Sequence, residues 1–287
     1  MKKILITGAA GATGKMLYRF LLTKEPESQL LTTDLVPFDE SENHTILSFQ
    51  DTENLHQYLQ THQPQTIYHL VGTFTNIYAI DYESNVQTTQ HLLETLLKID
   101  FKGRVLLVGS AAEYGWVKPE DNPIKENQTP QPISNYGLTK TFQSQMMHYY
   151  VRLHEMDIVM ARTFNILAEK MSEKLLIGRL EKLINEYQQN QIETIVLGNL
   201  QSTRDYMPVQ EVVEAYWLIM QKAEKGSTIN VGSGKPIRIY DLVVQILAQN
   251  NISIAALQEN KNLIKPNQWD IPEIYADTSQ LEALRRK

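Results

Sequence analysis

Cysteine is absent from the 287 residues, which excludes disulfides, thiolate metal sites and thiolate nucleophiles together. Lysine and arginine never gather into a block. The net charge is −6 and the pI is near 5.7, so the basic footprint of a nucleic-acid partner is missing. No apolar run approaches the roughly 20 residues of a membrane span. The run Ile4-Leu5-Ile6 after Lys2-Lys3 is too short for the core of a secretory signal, so no membrane partner and a cytoplasmic location are expected. No repeat, low-complexity tract or Gly/Ser linker breaks the chain. What is there is an ordinary composition, 42% hydrophobic and 21% charged. The length suits one large domain with a small companion.

The chain opens as strand, tight turn and helix. An apolar, β-branched run over Lys3–Thr7 meets glycines at Gly8, Gly11 and Gly14, then an apolar pattern at helical spacing over 15–22. Glycine lets the backbone turn sharply and approach a ligand, and the N–H groups of the next helix attract a pyrophosphate. Gly8, Ala10, Gly11, Ala12, Thr13 and Gly14 are therefore candidate dinucleotide contacts. The spacing is GxxGxxG rather than GxGxxG, and glycines at such turns also serve packing alone. A second strand over 29–33 ends at Asp34, followed by Leu35. An acidic side chain about twenty residues past the glycine turn accepts hydrogen bonds from the adenosine ribose. A carboxylate there repels a 2′-phosphate, which favours NAD(H) over NADP(H). Asp51 has two readings, a contact to the adenine amino group or the cap of a helix starting near Glu53. A buried strand over 66–71 carries His69, read as a core histidine, and ends at Leu70, Val71, Gly72 and Thr73. A helix is expected over 85–94, opening at Asn85.

A strand over 104–108 runs into Gly109, Ser110 and Ala111, at the carboxyl end where open α/β sheets place ligands. Tyr136 and Lys140 stand four apart in a helical stretch, so they share a face. A phenol with a pKa of about 10 is a poor acid or base at neutral pH, and an ammonium one turn away favours its ionised form. Tyr and Lys at this spacing are also common on helix surfaces, so Ser110 matters as a third member.

Taken in order, Thr7-Gly-Ala-Ala-Gly-Ala-Thr-Gly14, Asp34, His69-Leu-Val-Gly72, Asn85, Ser110 ahead of Tyr114-Gly115, and Tyr136-x-x-x-Lys140 resemble the extended short-chain dehydrogenase/reductase family of the NAD-dependent epimerase/dehydratase type. Arg162-Thr-Phe-Asn165, Leu197-Gly-Asn-Leu200, Thr203-Arg-Asp-Tyr206 and Ile229-Asn-Val-Gly-Ser-Gly234 continue the likeness. Within the family, Gly109-Ser-Ala-Ala-Glu-Tyr-Gly115 with Pro119-Glu-Asp-Asn-Pro-Ile124 is similar to GDP-4-keto-6-deoxy-mannose reductases and their relatives.

The resemblance implies an α/β fold: a Rossmann-type doubly wound parallel sheet over 1–165, with 203–231 returning to it. Residues 166–202 and 232–287 would form a small C-terminal substrate-binding lobe. It implies that Ser110 and Tyr136 hydrogen-bond a substrate oxygen, and that Lys140 holds the nicotinamide ribose while lowering the Tyr136 pKa. Leu70, Val71, Gly72 and Asn85 join the implied cofactor contacts. For a nucleotide-diphosphate sugar the implied contacts are Thr73, Ser110, Ala111, Asn165, Arg179, Asn199, Arg204 and Lys265. Arg204 has an alternative as a surface pair with Asp205, and Arg179 and Lys265 as ordinary surface charges. No metal is implied.

Three departures leave the base and sugar open. Gly-Pro-Gly is missing after Asn165, Asn135 precedes Tyr136 in place of serine or proline, and Lys265-Pro266 stands where relatives carry Arg-Pro. Ala111 and Ala112 cannot move protons, which argues against a 4,6-dehydratase unless Glu113 turns inward. The missing cysteine disfavours an epimerase-reductase of the GDP-fucose synthase type. A 4-keto reductase and a 4-epimerase remain, with the reductase favoured by the local matches. A dinucleotide-binding sensor without turnover is a further class, but such proteins usually lack the tyrosine or lysine. The helices over 85–98 and 136–156 are apolar on more than one side, which points to a homodimer or to packing within one subunit. The proline-rich stretch 119–132 reads as a loop, with a lid as its alternative.

Overall fold

The computed structural model describes residues 1–263 and 271–286. In chain order the elements are β1 (Lys3–Thr7), α1 (Ala12–Lys24), β2 (Gln29–Asp34), β3 (His44–Ile46), α2 (Thr52–His62), β4 (Thr66–His69), α3 (Tyr78–Tyr82), α4 (Thr88–Lys98), β5 (Arg104–Ser110), α5 (Asn135–His154) and β6 (Asp157–Thr163). The second half holds β7 (Asn165–Leu167), α6 (Leu176–Gln188), β8 (Ile195–Leu197), β9 (Thr203–Pro208), α7 (Val209–Lys222), β10 (Thr228–Val231), β11 (Pro236–Arg238), α8 (Ile239–Gln249), β12 (Leu257–Glu259), β13 (Glu273–Ile274) and α9 (Ser279–Arg286).

Seven strands form one parallel sheet in the order β10-β6-β5-β4-β1-β2-β3. Parallel strands are covered on both faces, which is why β1 and β6 read as nearly unbroken apolar runs. Successive residues of β1 serve opposite cores. Ile4 and Ile6 pack with Leu17 and Leu21 of α1, Val212 and Tyr216 of α7, and Leu281 and Leu284 of α9. Leu5 joins Leu55 of α2, Leu92 of α4 and Met147 of α5 on the other side. The chain leaves β1 for β2 on one side and reaches β4 on the other. The carboxyl ends of β1 and β4 therefore flank the switch point at which such sheets bind ligands.

The lobe is built from β8 paired with β12, a small sheet of β7, β9, β11 and β13, and the helices α6 and α8. Within 203–231, β9 lies in the small sheet while α7 and β10 rejoin the large domain. α9, which chain order puts in the lobe, also packs on α7 and β10. Its two buried leucines, Leu281 and Leu284, complete the core over α7. The expected helix at Asn85 begins earlier, at α3, and passes through a π-helical turn, Glu83–Gln87, into α4. Such turns mark functional sites, and this one carries Asn85 inward. The proline-rich stretch is tied down: Ile124 is buried, and its carbonyl accepts from Asn230 Nδ2 at 2.8 Å. No helix among the described residues is long and apolar enough to cross a membrane.

Candidate active site

A groove of about 600 Å³ runs along the carboxyl ends of β1, β2 and β4. Gly8, Ala10, Gly11, Asp34, Leu35, Leu70, Val71, Gly72 and Thr73 line it, whereas Ala12, Thr13, Gly14, Asp51, Asn85, Ser110, Tyr136 and Lys140 do not. Gly8 has φ of +69°, and a Cβ there would sit 3.0 Å from Leu70 C and Val71 N. Gly14 is buried under the turn, where a Cβ would lie 2.4 Å from the Gly8 carbonyl oxygen. The three glycines thus fold the loop down onto β4 and seat α1 against it. α1 has no side-chain cap and no acidic residue in its first turn, leaving first-turn N–H groups for an anion. Asp34 braces the same loop. Its carboxylate accepts from Ala10 N at 2.9 Å and Leu35 N at 2.7 Å.

Other residues fall elsewhere. Asp51 caps α2, accepting from Asn54 N at 3.1 Å and from Asn54 Nδ2 at 2.6 Å. Of its two readings the structure shows the cap, and Ser48, Phe49 and Gln50 line the groove there. Ala12 faces a separate cleft of about 960 Å³ between α1 and the lobe helices α6 and α8. Thr13 is in the first turn of α1, outside the groove lining. His69 is fully buried, between Thr7 Oγ1 at 2.9 Å and Thr89 Oγ1 at 3.3 Å. Burial, then the Lys140 charge, pushes its pKa down to about 3.

Ser110 ends β5 and caps a short turn: its Oγ accepts from Ala112 N at 3.2 Å, and Glu113 Oε1 accepts from Ser110 N at 2.8 Å. Ser134 caps α5 by accepting from Gly137 N at 3.0 Å, which presents Tyr136 in the first turn. The Ser110 hydroxyl lies near enough to the Tyr136 phenol to lower its pKa. Phe74 meets the Tyr136 ring edge-on, with centroids 5.0 Å apart. Lys140 Nζ donates to the Val108 carbonyl at 2.9 Å and to Gln143 Oε1 at 3.1 Å, and lies 6.0 Å from the Tyr136 ring centroid.

The electrostatics correct one expectation. The phenol is not brought down. Burial pushes Tyr136 up to about 12, against the lowering effect of the nearby Ser110 hydroxyl, and the negative charges of Glu113 and Asp81 raise it further. Burial brings Lys140 itself down to about 8, with the same two carboxylates working in the opposite sense. Tyr136 in this state is a neutral phenol that holds its proton.

Glu113 does turn inward, but it is sealed. It has no exposed surface, and its Oε2 accepts from Arg162 at 2.9 Å and from the Ser144 hydroxyl. With Oε1 on Ser110 N, neither oxygen is left for a substrate proton. The sequence did not single out Arg162 as its partner, because the two lie far apart in the chain.

Asn85 is fully buried and holds the rim: its Oδ1 accepts from Thr73 N at 2.9 Å, and its Nδ2 donates to Thr73 O and Thr139 Oγ1. Asp81 accepts from Thr75 N and Asn76 N, both at 2.8 Å. Asn135 donates two hydrogen bonds to Asn76, from N to Oδ1 at 2.9 Å and from Nδ2 to the carbonyl at 2.8 Å, so the departure at Asn135 clamps the 72–76 loop to the start of α5.

The lobe side is less converged. Asn165 Nδ2 donates to the Asp205 carbonyl at 3.0 Å. The Arg204 guanidinium donates to the Thr203 and Ile271 carbonyls at 2.8 and 2.7 Å. The surface pair with Asp205 does not form: Asp205 is buried and accepts from Ser233, Gly234 and Ala276 instead. Asn199 Oδ1 accepts from Gln201 N at 2.9 Å. Arg179 is exposed on α6, Ala111 is buried beside Ser110, and Lys265 lies outside the described residues. No metal-binding cluster occurs among the described residues.

Known proteins share this fold and sequence pattern. The chain is 26% identical over 286 residues to the GDP-6-deoxy-D-talose 4-dehydrogenase of Aggregatibacter actinomycetemcomitans, covering 97% of this chain and 90% of that one. Its fold matches the structure of RMD from Pseudomonas aeruginosa complexed with NADPH, at a TM-score of 0.85 and 20% identity, over 99% of this chain and 92% of the other. It also matches the UDP-glucose 4-epimerase of Thermus thermophilus in complex with NAD, at a TM-score of 0.84 and 18% identity, over 99% and 93%. The model of the NAD dependent epimerase/dehydratase family matches residues 4–232, and the chain belongs to that family of extended short-chain dehydrogenase/reductase enzymes.

Proposed function

We propose that this enzyme reduces the 4-keto group of a 4-keto-6-deoxy sugar nucleotide, with Ser110, Tyr136 and Lys140 as its catalytic residues. The observation that carries the reading is the convergence of Ser110 at the end of β5 with Tyr136 and Lys140 at the start of α5, Lys140 Nζ being held on the Val108 carbonyl of β5 and close to Gly72 at the rim of a groove suited to a dinucleotide. Ketone reduction needs a proton donor at the carbonyl oxygen, and a phenol pushed up to about 12 is in the donating form. Tyr136 delivers that proton, Ser110 orients the carbonyl, and Lys140 donates to the nicotinamide ribose. A reduced nicotinamide, when bound, supplies hydride to the carbonyl carbon. Dehydration has no visible acid, since Ala111 and Ala112 flank Ser110 and Glu113 is sealed.

The groove residues fit a dinucleotide: a glycine turn with an uncapped helix for the pyrophosphate, and Asp34 at the rim for the adenosine ribose. Asp34 favours NADH, whereas the RMD neighbour was complexed with NADPH, so both belong in the first titration. Asn165 and Arg204 are read as the diphosphate contacts, a role that suits a guanidinium. Tyr149 and Leu153 of α5 and Ile80 of α3 are exposed, and a second copy of the chain is the proposed cover. Sedimentation velocity that finds only monomer would remove that part.

The test is a panel of GDP-, UDP-, CDP- and dTDP-linked 4-keto-6-deoxy sugars offered with NADH or NADPH. Stoichiometric oxidation of the reduced cofactor with one of them is expected. Interconversion of 4-hydroxy epimers with catalytic NAD and no net oxidation would overturn the reductase in favour of the epimerase. Binding without either would leave a sensor.

A further inference from the structure

Lys140 is 4% exposed, and its two protein acceptors, the Val108 carbonyl and Gln143 Oε1, come from β5 and from its own helix. Gln143 is fully buried three residues along α5, on the face Lys140 occupies. An amide can present oxygen or NH2, and here the rest of the network fixes which. Gln143 Nε2 donates to Thr89 Oγ1 at 2.9 Å, and the Thr89 hydroxyl donates to the Asn85 carbonyl at 2.9 Å. Having given its one proton away, Thr89 Oγ1 only accepts. His69 Nε2 stands 3.3 Å from the same oxygen, and His69 Nδ1 is 2.9 Å from Thr7 Oγ1. A neutral His69 protonated at Nε2 satisfies both. Turning Gln143 over would set NH2 against the ammonium in a site closed to water, leaving buried donors without acceptors. Donation therefore converges on Thr89 Oγ1 from both sides, from Thr7 through His69 and from Lys140 through Gln143, and this fixes the Gln143 amide with its oxygen toward the ammonium.

We propose that Gln143 is a positioning residue for Lys140: its locked amide oxygen, with the Val108 carbonyl, holds the ammonium charged and leaves its third proton for the groove at Gly72. Gly72 lines that groove, and a Cβ built on it would come within 3.2 Å of Lys140 Nζ. The titratable groups around Lys140 are Glu113 from the turn after β5, Asp81 from α3, Tyr136 from α5 and neutral His69 from β4. The carboxylates act through space, while Gln143 is the side chain that touches Nζ. The inference rests on the proposed function only in taking Lys140 as the amine that meets the dinucleotide.

The test reads Lys140 directly, without substrate or cofactor. In protein labelled at the lysine 13Cε, Lys140 titrates apart from the ordinary lysines, near its value of about 8, and its signal is assigned by its loss in Lys140→Met. Gln143→Met keeps the bulk and removes the acceptor, so the midpoint should fall by about one pH unit, a tenfold loss of proton affinity. Gln143→Glu adds a charged acceptor and should raise it by a similar or larger amount. A structural role alone would lower the thermal midpoint and leave the titration where it was. Coincident Lys140 midpoints in wild type and in whichever variants fold would overturn the proposal. Dinucleotide affinity is measured alongside. Shifted midpoints in a protein that binds neither NADH nor NADPH would support the positioning role while refuting the cofactor reading.

Discussion

The two edges of the cleft are built on different principles. On the sheet edge, Asn85, Glu113, Lys140 and Gln143 are buried, and each of their polar atoms that sets geometry has a named partner. On the lobe edge, Asn165 Nδ2 and Arg204 Nη1 donate to backbone carbonyls, and Arg179 is exposed. The sheet edge is organised before any ligand arrives, as chemistry demands of groups that must be aligned with a reacting bond. In the proposed reading the lobe edge serves binding, where a nucleotide sugar adds contacts of its own.

If that contrast is right, the largest effect falls on turnover at the sheet edge. Tyr136→Phe should cut kcat by roughly 10²–10⁴-fold, the usual worth of a positioned acid, while dinucleotide affinity measured by fluorescence stays within about twofold. Next in size is a loss of stability. Glu113→Ala leaves Arg162 as an uncompensated buried charge, and urea unfolding should show about 3–5 kcal/mol of destabilisation. Glu113→Gln should lose less, because its amide oxygen can still accept from Ser110 N.

A third variant tests the approach of Lys140 to the groove. Gly72→Ala sets a methyl within 3.2 Å of Nζ and 2.8 Å of Asn85 Oδ1, so dinucleotide Kd should rise about tenfold, or about 1.4 kcal/mol. The smallest effects belong to the lobe edge. Arg204→Ala should raise KM for the nucleotide sugar by about tenfold with kcat nearly constant, the mark of lost uniform binding. Arg179→Ala should change neither by more than about twofold. An Arg179 effect larger than the Arg204 effect would mean that the two edges have been assigned wrongly.

Local signals carried well from sequence to structure. The glycine turn, Asp34 at a strand end and the four-residue step from Tyr136 to Lys140 are set by short stretches of chain, and each landed at the carboxyl edge of the sheet. Partnerships across long separations were not legible. Glu113 and Arg162, Gln143 and Thr89, and Asn76 and Asn135 meet only because β5, α4 and α5 converge. Asp51 shows a related limit, since capping and adenine recognition ask for the same side chain at the same strand exit. The protonation of Tyr136 turns on burial, which spacing does not encode: the helical step to Lys140 predicts a lowered phenol, whereas desolvation is the largest influence on it and raises it. Near the C-terminus, α9 returned to the large domain because two leucines at helical spacing found the core over α7.

The central claim is that Ser110, Tyr136 and Lys140 hold a ketone where hydride can reach it. Its most direct test is label transfer from NADH or NADPH deuterated on the nicotinamide C4 to a 4-keto-6-deoxy sugar nucleotide. The account predicts one deuterium at the sugar C4 for each cofactor oxidised, with the rate collapsing in Tyr136→Phe. Cofactor oxidation without label at C4, or full transfer in the phenylalanine variant, would contradict it.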